Sequence, residues 1–221
     1  VGLGGLAHVD AVACDEPADQ LRRALPAAPR RDTARQARQR QLGQQVLRQD
    51  GKAVSSGGMS LDDLLTLAPR LGERNWHVQL WIETGDLSQL APTLEKLPFD
   101  FVIDHMGRTM ADKGVEYPGF RDFCEKLKTG RYWCKLSGAD RNTRGNTGKG
   151  ATFADTAPFM QALVSANPDR LVWGSDWPHV GHAADAIPQE SDLLPLFLRC
   201  VPDEKTQTKI LIDNPKQLYG F

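Results

Sequence analysis

An aspartate follows a short apolar run and precedes an aromatic, a proline and a histidine in Leu171-Val172-Trp173-Gly174-Ser175-Asp176-Trp177-Pro178-His179. Leu171 to Trp173 has the composition of a buried strand, Gly174 lets the chain turn or approach a ligand closely, and Pro178 ends the ladder. Asp176 is therefore expected at the carboxyl end of a strand, where a carboxylate can serve as a base; the plainer alternative is an aspartate that caps the next helix. The segment Phe99-Asp100-Phe101-Val102-Ile103-Asp104-His105-Met106-Gly107-Arg108 repeats the design, with an apolar run that ends in Asp-His and then Gly and Arg. A lone histidine at a strand end is more often structural. Paired with Asp176, His105 becomes a candidate for the chemistry. Two strands ending in ionisable residues, separated by a helical stretch and a further strand, are what a parallel α/β sheet or barrel produces when its site lies at the carboxyl ends.

The elements that must hold these residues follow a regular alternation from Ser60 onward. Ser60 with Asp62 and Asp63 starts a helix whose apolar stripe is Leu64, Leu65, Leu67 and Leu71. Strands are expected at 76–82, 101–103, 132–136 and 171–173, and helices at 87–97, 120–127, 153–166, 192–200 and 203–212. Asp213-Asn214-Pro215 opens a short terminal turn. Alternating strands and helices are the mark of βα units. The first 50 residues fit less well: a strand is expected around 6–12 and one or two helical turns at 18–25. Residues 30–49 hold six arginines and six glutamines with one aspartate, too polar to cover a core. That run reads as a solvated helix, with a basic nucleic-acid-binding arm as the lesser alternative.

With 221 residues, the chain can form one large α/β domain, 1–221, with 1–50 atypical. A net charge of −1 lacks the broad cationic field of a nucleic-acid or membrane-surface binder, so the expected partner is a small molecule. The four cysteines, Cys14, Cys124, Cys134 and Cys200, are scattered without a Cys-x-x-Cys pair, as in a cytoplasmic protein with reduced thiols. No apolar stretch approaches the roughly 20 residues of a membrane span. A homo-oligomer is compatible with this composition.

Asp-His-Met-Gly-Arg at 104–108, Lys-Leu-Ser-Gly-Ala-Asp-Arg at 135–141, Trp-Gly-Ser-Asp-Trp-Pro-His at 173–179 and Asp-Asn-Pro-Lys-Gln-Leu-Tyr at 213–219 together resemble the amidohydrolase superfamily. Within it, the lactonase branch that includes 2-pyrone-4,6-dicarboxylate lactonases is the most similar, and the resemblance runs from Arg48 to the C-terminus. It implies a distorted (β/α)8 TIM-type barrel, here incomplete at the N-terminus, with the site at the carboxyl ends of its strands. By the same resemblance Asp176 is the general base for water and His105 lies beside the substrate carbonyl or a metal. Arg48 and Arg141 look like carboxylate-binding arginines, Trp81 takes the place of an aromatic hydroxyl residue, and His179 sits next to the base. Arg108 and Arg144 are further substrate-binding candidates. A base and an oxyanion partner are what lactone hydrolysis needs, and arginine matches carboxylates bidentately.

The resemblance has gaps. The family's first strand carries a His-x-His pair, whereas this chain has only His8-Val9-Asp10 and begins at Val1. The pyrone dicarboxylate branch works without a metal and related lactonases use zinc, so no cofactor is expected, with zinc as the alternative. His105 and Asp176 would then be two ligands of a centre that normally takes three. The expected function is a hydrolase opening a carboxylated lactone in aromatic-compound degradation. Its alternatives are a zinc-dependent lactonase acting on another lactone such as a sulfomuconolactone, a superfamily decarboxylase, and a non-catalytic anion-binding remnant.

Overall fold

The computed structural model describes residues 41–46 and 60–221. Five strands form one parallel sheet in chain order: β1 Gln41–Val46, β2 His77–Trp81, β3 Phe101–Ile103, β4 Tyr132–Leu136 and β5 Leu171–Trp173. Each neighbouring pair is parallel, with Leu80 beside Ile103, Ile103 beside Cys134 and Cys134 beside Leu171. Helices fill the crossovers: α1 Leu61–Gly72, α2 Thr84–Leu94, α3 Pro118–Lys128, a single turn α4 Ala139–Asn142, α5 Ala157–Ala166 and α6 Glu190–Cys200. The chain ends in α7 Glu204–Thr208, a wide turn Lys209–Asp213 and α8 Asn214–Tyr219.

Local chemistry accounts for the boundaries. The Ser60 hydroxyl accepts the Asp63 N–H at 3.1 Å while the Asp63 carboxylate accepts the Ser60 N–H at 3.2 Å, a reciprocal cap that starts α1 where the sequence places it. α2 begins one turn before the expected 87–97, because Thr84 and Gly85 are already helical. The expected helix 203–212 is broken into α7 and the wide turn, and the terminal turn extends into α8. At 41–46 the expectation of a solvated helix is overturned: this stretch is β1, paired in parallel with β2. Strand pairing is a backbone contract, and the otherwise open edge of β2 offers its N–H and C=O groups whatever the side chains of the partner. The expected strand at 6–12, the helical turns at 18–25, His8, Cys14 and Arg48 lie outside the described residues.

Period-two alternation sends the strand side chains to two different environments. Val78, Leu80, Phe101, Ile103, Tyr132, Cys134, Leu136 and Leu171 face the helices and form one core with Leu64, Leu87, Phe120, Phe123, Leu163 and Leu196. On the opposite face Val102, Trp133 and Val172 pack with Leu218 of α8. The remaining positions on that face are polar, His77, Gln79, Asp104, Lys135 and Ser137, except for Trp81 at the end of β2. No helix among the described residues is long and apolar enough to cross a membrane.

Candidate active site

Asp176 leaves β5 through Gly174 and Ser175 with a positive φ of 70°, a backbone geometry that asparagine and aspartate tolerate better than most residues. Its carbonyl accepts the His179 N–H at 2.9 Å, so the loop closes back on itself immediately after the carboxylate. Arg141, on the single turn that follows β4, donates from Nε to Asp176 Oδ2 at 2.5 Å and from Nη2 to the Val180 carbonyl at 3.1 Å. One guanidinium therefore pins the carboxylate and the loop that carries it.

His105 leaves β3 in a tight turn; Gly138 makes room for its side chain, and Gly107 lets the turn pack against Thr84. Gly138 has φ +69° and a Cβ there would stand 2.6 Å from the His105 Cβ; Gly107 also has φ +69° and a Cβ would meet Thr84 Cγ2 at 2.4 Å. Asn142 donates to the His105 carbonyl at 2.8 Å, and Nδ1 lies 3.0 Å from the Ser137 hydroxyl. Nε2 points toward Asp176 Oδ1, 3.7 Å away. Burial pushes the His105 imidazole below its ordinary pKa; the carboxylates of Asp104 and Asp176 oppose that, and Arg141 and Lys135 add to it. The ring is therefore neutral at neutral pH.

His105 and Asp176 line one cavity of about 360 Å³ together with Asp104, Lys135, Ser137 and Tyr219. Asp104 and Lys135 are neighbours on adjacent strands. Lys135 Nζ lies 3.3 Å from Asp104 Oδ1 and donates to Gln79 Oε1 at 2.6 Å, while Gln79 Nε2 donates to Asp104 Oδ2 at 2.8 Å. This closed ring keeps an ammonium at the cavity wall.

The other candidates separate into groups. Trp81 and Arg108 meet face to face, the guanidinium carbon 3.3 Å from the indole centroid, as a cation over a ring. Arg108 is also close enough to Arg141 and Asp104 to feel their charges. His179 is 2 % exposed beside Asp140, with Nδ1 3.7 Å from Asp140 Oδ2. Arg144 is not brought to the cavity: it is exposed and pairs with Asp112 at 2.9 Å. Four residues at the site were not singled out by sequence reasoning: Asp104, Lys135, Ser137 and Asp140. Lys135 and Ser137 were legible in principle, since with Trp133 they fall on the odd positions of one strand and must share a face.

The amidohydrolase family profile matches residues 2–221. The chain belongs to this family. It is 37% identical over 150 residues to a 4-sulfomuconolactone hydrolase from Hydrogenophaga intermedia, covering 67% of this chain and 48% of that one. It is 33% identical over 163 residues to a 2-pyrone-4,6-dicarboxylate hydrolase from Comamonas testosteroni, covering 72% and 53%. The chain spans about half the length of these curated relatives. Among solved structures, a probable 2-pyrone-4,6-dicarboxylic acid hydrolase from Acinetobacter baumannii with citric acid bound superposes with a TM-score of 0.64 at 31% identity, covering 80% of this chain and 63% of that one. A second, from Pseudomonas putida, gives 0.65 at 26% identity over 89% and 70%. The five parallel strands are thus an arc of an amidohydrolase-type barrel, with the cavity at their carboxyl ends.

For a metal, the donors that converge among the described residues are Asp140, Asp176 and His179, whose ligand atoms all lie within 4.8 Å of one another. Asp176 belongs to both this group and the pair with His105.

Proposed function

We propose that this amidohydrolase opens the ring of a carboxylated lactone with water. The observation that carries the reading is the approach of Asp176 Oδ1 and His105 Nε2 to 3.7 Å across one cavity at the carboxyl ends of the strands. Asp176 takes a proton from water, and the hydroxide adds to the lactone carbonyl. If the Ser137 hydroxyl donates to Nδ1, the neutral His105 presents Nε2–H to the oxygen on which negative charge develops. Collapse breaks the ring C–O bond, and the protonated Asp176 returns its proton to the departing oxygen. Atoms and charge balance: one water is added, and the ring ester becomes an acid and a hydroxyl.

The walls suit an anionic substrate. Lys135 is the cation that lines the cavity; Arg141, which reaches it only through Asp176, retains N–H donors beyond those it gives to Asp176 and Val180, and Arg108 lies on Trp81 outside the lining. Two relatives named for lactones bearing carboxylate or sulfonate groups, and a similar structure named with citric acid bound, support the same substrate class. Arg48 would add a further carboxylate contact. A small-molecule metabolite of aromatic degradation in the cytoplasm is the corresponding partner and setting.

The test is proton release from 2-pyrone-4,6-dicarboxylate and from a sulfomuconolactone, with and without chelator, alongside a carbon dioxide assay. Ring opening without carbon dioxide is the expected result. Carbon dioxide release would move the chain to decarboxylation, and saturable binding without turnover would make it an anion-binding member of the family.

A further inference from the structure

The segment 213–219 carries no part of the proposed chemistry, yet the fold brings its last residue to the active-site cavity. Asn214, buried at the head of α8, donates from Nδ2 to the Pro168 and Leu171 carbonyls at 2.7 Å each, which ties the helix to the start of β5. Leu218 packs on Val102, Trp133 and Val172 and sets the rotation of the helix. Gly220, with φ 72°, ends it by donating its N–H to the Lys216 carbonyl at 2.8 Å. Tyr219 is thereby held with its ring edge-on to the buried His77, centroids 5.6 Å apart, and it lines the cavity together with Lys135, Ser137 and Asp176.

Asp104, Lys135, Ser137 and Asp176 each have a protein partner. The first two close a ring with Gln79, the Ser137 hydroxyl lies 3.0 Å from His105 Nδ1, and Asp176 is pinned by Arg141. The Tyr219 hydroxyl has no hydrogen-bond partner among the described residues. Burial and the Asp104 carboxylate push its pKa up to about 12, so at neutral pH it remains an O–H donor. A donor left open in a cavity suits an acceptor from outside the protein. A carboxylate gains most from it, because hydrogen bonds to charged groups are the stronger ones. An ammonium has three N–H donors, so Lys135 keeps one for the same acceptor beyond Gln79 and Asp104.

We infer that Tyr219 is a substrate-binding residue whose phenol holds one carboxylate of the lactone beside Lys135. The inference deepens the proposed function and rests on that reading of the cavity.

The test is Tyr219→Phe, which keeps the ring on His77 and breaks no hydrogen bond among the described residues; thermal melting checks the fold. With 2-pyrone-4,6-dicarboxylate, KM should rise about 10- to 100-fold, the effect of one hydrogen bond to a charged group, with kcat unchanged. For one of the two pyrone monocarboxylates, the one lacking the carboxylate that Tyr219 holds, parent and variant should have equal KM. A penalty that persists for both monocarboxylates would overturn the inference. Calorimetry in the Asp176→Asn background reads the same contact without turnover. Binding that weakens in Tyr219→Phe, in a chain that opens no lactone, would end the hydrolase reading and keep this one. Turnover with equal KM for the dicarboxylate in parent and variant would do the reverse and leave Tyr219 a packing partner of His77. Absence of dicarboxylate binding by the parent would overturn both.

Discussion

On the helix side of β3 and β4, Phe101, Ile103, Tyr132, Cys134 and Leu136 are essentially inaccessible and sit among apolar helix side chains. On the other side of the same two strands stand Asp104, Lys135 and, just beyond, Ser137, with Gln79 from β2 closing the ring. The backbone is shared and the pleat alone separates the two populations. One face carries the transfer of apolar surface out of water; the other accepts the desolvation of charge and polar groups, with Asp104 Oδ1 and His77 Nε2 left without hydrogen bonds. A face that gives up stability in this way is where a site belongs. Glycines reinforce the division, since Gly107 and Gly138 admit the turn that delivers His105 to the polar side.

Phe123→Ala offers the sharpest contrast. The ring is fully buried in the helix-side core, and its loss should lower stability by about 3–5 kcal/mol in denaturant titration while leaving ligand affinity of the folded fraction unchanged. On the polar face, Lys135→Met should cost about 3 kcal/mol, because it strands the fully buried Asp104 carboxylate; the figure sits at the lower bound since Lys135 is partly open to water. The double variant with Asp104→Asn should recover most of that, and a cycle of the four proteins measures the coupling. Equal losses in the single and double variants would mean that the polar face is held by packing, and the contrast between the faces would fail.

Acid should also act on the polar face. Burial, aided by the Lys135 charge, pushes the His77 imidazole down to about 4 from an ordinary 6.5. The unfolded chain then binds a proton that the folded chain refuses, so stability is intact above pH 6.5 and is lost as pH falls toward 4, by ~3 kcal/mol. His105 shifts in the same direction, also through burial, and adds to the trend. Thermal unfolding of the parent and His77→Gln across this range should show a shallower acid slope in the variant.

The contrast also explains what the sequence discloses. Asp176 and His105 are legible because each ends an apolar run, and the alternation of runs foretells the parallel sheet. Lys135, Ser137 and Asp140 lie inside a segment whose motif is visible, but which of its side chains meet depends on the register between β3 and β4, and register is a property of two strands. Arg144 shows the converse: three residues beyond Arg141, it is carried out on the loop to Asp112, since side-chain proximity after a one-turn helix does not follow chain proximity. β1 escaped because its polar composition speaks of side chains, whereas its pairing with β2 is made by the backbone.

The central claim, that the polar face ends in a hydrolytic pair, is tested most directly by Asp176→Asn, measured at once for lactone turnover and for thermal stability. The account predicts at least about a 100-fold fall in kcat, the usual contribution of a general base, with KM near that of the parent and a small fall in melting temperature from the lost charge of the Arg141 pair. Undiminished turnover, or a loss that merely follows unfolding, would contradict it.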